Sequence, residues 1–269
     1  MNKRNKRRNF PGQHLMKSKR LAESIVEMSG IGPDDQVVEI GAGIGALTVH
    51  LAQKAKKVMA IENDLQFVKI LRKQLDQQKN VTVIGKDVLE VNLPNKPFSV
   101  VSNIPYSITT PILGKLMDQP EKPFQKGLLV MEKGAAKRFT THPSSNPRIL
   151  TWRMYFDLKM GRTIACYHFS PPPKVDSAVL FINRKEKYLI PIRSRSLFFA
   201  LASYALKNPD WPMDEVFKGI FTSPQITHLA KTLRIDRNTP VSRLSDWKWA
   251  TVFHTMVKFA PSYRWPKLK

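Results

Sequence analysis

The run Glu39-Ile-Gly41-Ala-Gly43-Ile-Gly45 constrains this chain more than any other segment. It follows the β-branched run Gln36–Ile40 and precedes a helical pattern over residues 46–54. Three glycines at alternate positions allow a sharp backbone turn and a close approach to a ligand. A loop of this kind, between a buried strand and a helix, belongs to a parallel sheet wound with helices. The chain continues accordingly. Short strand runs at 58–61, 81–84, 99–101 and 127–131 alternate with helical patterns at 64–77, 110–117 and from 135 to 139. Two closing strands are expected at 164–168 and 178–182, around Pro171-Pro172-Pro173. The predicted fold class is α/β, a Rossmann-like, mostly parallel, doubly wound sheet.

After Arg184 the strand signals stop. Helical patterns cover 195–206, 214–221, 224–232 and 245–259, with Ser223 and Ser245 as expected N-caps. The expected division is a basic tail over 1–12, a ligand-binding α/β domain over 13–184, and a small basic all-α domain over 185–269.

Charge narrows the partners. The chain carries 44 Lys+Arg against 21 Asp+Glu, a formal net charge of +23. Residues 1–20 hold eight basic and no acidic side chains, and residues 184–269 hold sixteen against six. Basic blocks at both ends are the footprint of a polyanion binder, with nucleic acid the first candidate and an anionic membrane surface the second. No run of 18 apolar residues exists, so no membrane span is expected. The lone cysteine, Cys166, excludes an intramolecular disulfide and a multi-cysteine zinc site, and suits a reducing, cytoplasmic setting. It is expected to be inert in an apolar strand. The six histidines show no metal-ligand spacing, so no metal is expected.

The glycine loop has acidic company. Glu62 ends the next strand, 21 residues after Gly41, where a carboxylate accepts both hydroxyls of an adenosine ribose. Gly41-x-Gly43-x-x-Ala46 also fits a nicotinamide dinucleotide site, so a dehydrogenase competes at this point. Glu39 tilts the balance: two residues ahead of the first glycine, it can reach an ammonium group, which S-adenosylmethionine has and a dinucleotide lacks. Asp87, just past the third strand, suits a hydrogen bond to the adenine amine of that cofactor.

Asn103-Ile104-Pro105-Tyr106 follows the fourth strand, on the ligand-binding edge of such a sheet. The exocyclic nitrogen of adenine is a poor nucleophile because its lone pair is delocalised into the ring. The Asn103 amide oxygen and the Ile104 carbonyl are placed to accept its two hydrogens, which aims the lone pair at a methyl donor. Pro105 stiffens the loop. Tyr106 offers a face for an extracted base to stack on.

These segments, with Gln13-His14-Leu15 before them and Phe169-Ser-Pro-Pro-Pro-Lys174-Val-Asp176-Ser177 after them, resemble the ribosomal RNA adenine N6-dimethyltransferases over nearly the whole chain. Two branches share this layout: the erythromycin-resistance (Erm) enzymes acting on 23S rRNA, and the KsgA-type enzymes acting on small-subunit rRNA. The resemblance is closer to Erm, in Asn9–Met16, Val101–Pro111, Val130–Phe139 and Gly219-Ile-Phe-Thr222. It implies a class I S-adenosylmethionine-dependent methyltransferase in which Gln13 and Leu15 hold the methionine end, with His14 standing where many relatives have Asn. It implies Gly41, Gly43 and Gly45 as the cofactor loop, Glu62 at the ribose, Asp87 with Val88 at the adenine, and His14, Asn63 and Asn103 as further cofactor-binding residues. It further implies Asn103 and Tyr106 orienting and stacking the target base, with Phe169 covering its other side. For Erm the target lies in the peptidyl-transferase loop, and the output is macrolide, lincosamide and streptogramin B resistance. The implied partner is protein-free 23S rRNA, with no obligate protein partner and a monomeric enzyme.

Small-subunit rRNA, duplex DNA and a non-catalytic RNA-binding role stay open as alternatives. Lys133, Lys137 and Arg138 are expected to contact phosphate, Lys174 and Asp176 to brace the proline-rich turn, and the tryptophans after residue 210 to pack the helical domain rather than stack on RNA.

Overall fold

The structure is a computed structural model that describes residues 14–267. Its elements in chain order are β1 (Leu15–Met16), α1 (Lys19–Met28), β2 (Gln36–Ile40), α2 (Thr48–Lys54), β3 (Lys57–Glu62), α3 (Leu65–Gln74), β4 (Val81–Gly85) and β5 (Phe98–Asn103). They continue with α4 (Thr109–Met117), β6 (Phe124–Glu132), α5 (Lys133–Thr140), α6 (Pro147–Arg153), β7 (Phe156–Ile164), β8 (Phe169–Ser170) and β9 (Ser177–Arg184). Helices α7 (Arg195–Ala205), α8 (Met213–Phe217), α9 (Ser223–Leu233) and α10 (Asp246–Phe259) close the chain.

Seven strands form one sheet in the order β4-β3-β2-β5-β6-β9-β7. The pairs from β4 through β6 are parallel and β6–β9 is antiparallel. This is the Rossmann-like, mostly parallel sheet the sequence predicts. Buried β-branched residues explain it: Val37, Val38, Val58, Val100 and Val101 are closed off on both faces, as parallel strands under helices require. The order runs outward from β2 through β3 to β4, then reverses to β5. The crevice between the ends of β2 and β5 is therefore the topological switch point, where open α/β sheets bind ligands. A separate two-stranded ribbon pairs Leu15 with Ser170 and Met16 with Phe169.

The chain divides into two compact units. The first runs to Arg138 and resumes over Leu158–Asn183; the second comprises Phe139–Asp157 and the chain from Arg184. The sequence places 139–157 in the first domain. The structure gives this stretch to the second unit, because Ile149, Leu150, Trp152, Tyr155 and Phe156 are buried and α6 packs on α7. In the same unit Phe198 meets Phe253 edge-on at 5.7 Å and Phe217 meets Trp249 at 6.2 Å. Arg153, 1% exposed, donates to the carbonyls of Phe139 and Thr141 at 2.7 and 2.8 Å, and its guanidinium lies 4.0 Å from Asp246.

Several local expectations change. Strand β7 covers Phe156–Ile164, and 166–168 is a 3-10 turn rather than strand. Cys166 is thus half-buried in a turn, where its N–H donates to Asp176. Helix α9 is capped by Thr222, not Ser223: Thr222 and Gln225 form a reciprocal capping box, with Pro224 in the first turn. Ser245 does precede α10, without a side-chain capping bond. Trp249 is buried, whereas Trp211 and Trp247 are about half exposed. Among the described residues no helix is long and apolar enough to cross a membrane.

Candidate active site

A pocket of about 260 Å³ lies at the switch point, within the first unit. Its floor is the glycine loop. Gly41, Gly43 and Gly45 have φ of +73°, +56° and +89°, a region that side chains with a Cβ rarely adopt. Gly41 and Ala42 both donate to the Ile61 carbonyl, which turns the chain off β2. A Cβ on Gly43 would stand 2.7 Å from Leu15 Cδ2, so this glycine is what lets β1 lie on the loop. Gly45 does something else. It lines no part of the pocket, and its missing side chain makes room for Leu71 of α3 at 3.1 Å. Gly45 thus serves the loop through its backbone conformation and its packing against α3.

Glu62 ends β3 and is buried. One carboxylate oxygen accepts from Gly43 N–H at 2.7 Å, the other from Asp64 N–H at 2.8 Å. The acid is thus fixed against the loop, and both oxygens keep a further lone pair for a ligand. Asn63, Asp87 and Val88 line the same pocket; Asp87 is oriented by the Leu89 N–H at 2.9 Å. Glu39, 2% exposed, lies off the main pocket. It borders a cavity of about 20 Å³ that shares Leu15, Gly41, Gly43 and Asn103 with it. Burial pushes its carboxyl up to about 8; the Thr48 hydroxyl opposes that rise and the Glu62 charge adds to it. One Glu39 oxygen is buried without a hydrogen-bond partner. A small buried carboxyl with no counter-charge beside it fits a cationic group, whose charge would favour its ionised form.

Asn103, at the end of β5, donates its amide N–H to the His14 carbonyl at 2.8 Å. That fixes which way the amide faces. Its oxygen is buried with no hydrogen-bond partner, in a residue that lines the pocket. An orphaned buried acceptor costs about 1–3 kcal/mol, so it is a vacancy for a donor. Ile104 N–H is tied to the Val130 carbonyl at 3.0 Å, and Pro105 lies against Gly41. Tyr106 bonds through its hydroxyl to Ser177 at 2.5 Å, and its ring sits 5.2 Å from the His14 ring. Burial raises the Tyr106 pKa, partly offset by Ser177, with Glu132 adding to the rise. His14 is anchored by a 2.8 Å bond between Nδ1 and the Pro171 carbonyl.

The structure therefore brings His14, Leu15, Gly41, Gly43, Glu62, Asn63, Asp87, Val88 and Asn103–Tyr106 to one pocket. Phe169 is not part of its lining. It is fully buried in the apolar cluster with Met16, Leu21 and Ile25, because pairing of β8 with β1 turns it inward, and it presents no face to a base here. Gln13 lies outside the described residues. Sequence reasoning missed Ile40, Ile61, Phe67, Lys86, Ser107 and Ile108 in the lining. Phe67 was legible only as one apolar position of a helix; its nearness to Glu62, at the sheet edge, was the available signal.

The family described as ribosomal RNA adenine dimethylase matches residues 4–258. This chain belongs to that family. An rRNA adenine N-6-methyltransferase of Bacillus licheniformis is 48% identical over 259 residues, 96% of this chain and 90% of the relative. Ribosomal RNA small subunit methyltransferase A of Streptococcus thermophilus is 35% identical over 203 residues, 71% of this chain and 70% of the relative. The fold is that of the 23S rRNA methyltransferase ErmE, with a TM-score of 0.81 at 22% identity, covering 91% of this chain and 100% of that one. As a member of the rRNA adenine dimethylase family, the chain is an rRNA adenine N6-methyltransferase, and its cofactor is S-adenosylmethionine. The glycine floor, the paired acids and the two orphaned acceptors fit that cofactor and an adenine beside it.

Proposed function

We propose that this enzyme methylates the N6 amine of one adenine in 23S rRNA, in the peptidyl-transferase loop, and so confers macrolide, lincosamide and streptogramin B resistance. The observation that carries the chemistry is the buried, unpartnered Asn103 oxygen. With its NH2 held by His14, that oxygen accepts one hydrogen of the target amine, and the Ile104 carbonyl accepts the other. The nitrogen is drawn towards tetrahedral geometry and its lone pair is aimed, while the Tyr106 ring supports the flipped base. When bound, S-adenosylmethionine supplies a sulfonium methyl that needs no acid catalyst. Glu62 and Asn63 hold its ribose, Asp87 and Val88 its adenine, and Glu39 receives its ammonium.

Two things support 23S rRNA as the target. The likeness to rRNA adenine N-6-methyltransferases spans 96% of this chain, against 71% for the small-subunit enzyme. The segments around Gln13, Ser107 and Lys133 are those in which the sequence resembles Erm. The enzyme then works as a cytoplasmic monomer on protein-free RNA, held by its basic surface.

The test is transfer of labelled methyl from S-adenosylmethionine to protein-free 23S rRNA and to assembled small subunits, with the modified base mapped. A single labelled 23S adenine is the expected result. Label confined to the small subunit overturns the assignment in favour of the other branch.

A further inference from the structure

Helix α10 has an ordinary inner face: Trp249, Val252, Phe253 and Met256 are buried. Its outer face is not ordinary. Trp247 is 50% exposed and Phe259 51%, and Tyr263, in the 3-10 turn Ser262–Arg264 just beyond, is 77% exposed. At 100° per residue, Trp247, Lys258 and Phe259 fall within about 120° of arc on the solvent side. Each exposed ring carries a cation. Lys248 lies 5.8 Å from the Trp247 centroid, Lys258 5.0 Å from Phe259, and Arg264 5.9 Å from Tyr263.

The turn that presents Tyr263 is pinned. The Trp265 indole N–H donates to the Ala260 carbonyl at 2.9 Å, and Arg264 N–H to the Pro261 carbonyl at 2.9 Å. Tyr263 is thus held outward by structure on either side of it. No acidic residue occurs from Trp247 to Lys267.

We propose that this face is a stacking platform for single-stranded RNA, with Trp247, Phe259 and Tyr263 as the base-stacking rings and their paired cations as phosphate contacts. Charge decides the occupant. A protein-docking patch would be expected to hold its rings in a neutral or mixed field, whereas here every ring is coupled to a cation and no acid intervenes. Rings stack on any base, and cations track the backbone. A duplex keeps its bases stacked inside, so the surface suits an unpaired loop or strand. The proposal rests on rRNA being the partner, not on which rRNA it is.

The test uses the full chain with Trp247→Ala, Phe259→Ala and Tyr263→Ala combined, and a second protein with Lys248→Gln, Lys258→Gln and Arg264→Gln. The probes are a fluorescent ten-nucleotide single-stranded oligoribonucleotide and a blunt RNA duplex of equal length, titrated at several salt concentrations. The ring variant should lose roughly tenfold in single-strand affinity for each ring that stacks, with the salt slope, duplex binding and S-adenosylmethionine affinity kept. Its KM for rRNA should rise while kcat holds. The cation variant should flatten the log–log salt slope by about two.

Unchanged single-strand affinity in a folded ring variant overturns the proposal. So does an equal loss for the duplex, or a change confined to self-association in sedimentation, which would make the face a protein interface. Tyr263→Ala alone, at the most exposed ring, gives the same reading if the triple variant misfolds. The oligonucleotide result does not depend on the 23S assignment, so failure of either leaves the other standing.

Discussion

Asn103 shows how one side chain can be read both as a stability cost and as a function. Its oxygen is buried without a partner, a cost that only an incoming donor relieves. Asn103→Ala should lower kcat by at least a hundredfold and leave S-adenosylmethionine affinity within about threefold, as measured by single-turnover methylation and calorimetry. Asn103→Asp keeps an acceptor but loses the N–H bond to His14, and should be nearly as slow. Glu39 gives a second prediction. Its carboxyl holds a proton up to about 8 in the fold, against about 4.3 in an unfolded chain. The folded state therefore binds more protons between those values, so ligand-free stability falls as pH rises through them. Glu39→Gln should flatten that fall in thermal melts. If Glu39 meets the cofactor ammonium, binding at pH 7 should release a proton, seen as a buffer-dependent enthalpy that the Gln variant lacks. The residue types of this site were legible in the sequence because each answers a local chemical need. Phe169 was not, because its inward direction depends on β8 pairing with β1, some 150 residues earlier in the chain.

At the scale of elements, the strand-to-glycine-to-helix order was readable because strand burial and glycine freedom are local properties. What escaped was set by distant contacts. Strand β7 was in fact signalled locally, by the alternation of apolar Phe156, Leu158 and Met160 with polar Asp157 and Lys159, but its place beyond β9 at the sheet edge was not. Gly45 read as a loop glycine, and its requirement comes both from its φ of +89° and from α3, whose Leu71 a Cβ would meet at 3.1 Å. Gly43 is the sharper case, since it is tight against Leu15 and left-handed at once. Gly43→Ala should cost about 1–2 kcal/mol from backbone conformation alone, and more from shifting the Leu15 side chain. The expected outcome is a lowered melting temperature together with S-adenosylmethionine affinity reduced at least tenfold. Gly32→Ala, with no close neighbour at an ordinary φ, should change neither.

For the molecule as a whole, composition announced a polyanion partner, and the second unit takes up the chain from Arg184, where the strand signals stop, but it also draws in Phe139–Asp157, which neither charge nor strand signal marks. The second unit is stitched from two stretches, with Arg153 holding carbonyls of its own stretch and lying near Asp246 of α10. Arg153→Ala should destabilise this unit by about 3 kcal/mol, because a fully buried side chain is removed together with its bonds to the Phe139 and Thr141 carbonyls. Hydrogen exchange should show faster opening of α6 and α10 while β2 to β5 stay protected. That stitching has a consequence during synthesis. Strands β2 to β6 are complete once Glu132 has been made, but α6 must wait for α7, which starts 42 residues after α6 ends. At ribosomal speeds of about 5–20 residues per second, the wait is roughly 2–8 seconds. Through that interval the face of α6 that packs on α7 stays uncovered, and the nascent chain offers an apolar segment to chaperones from the middle of its N-terminal fold.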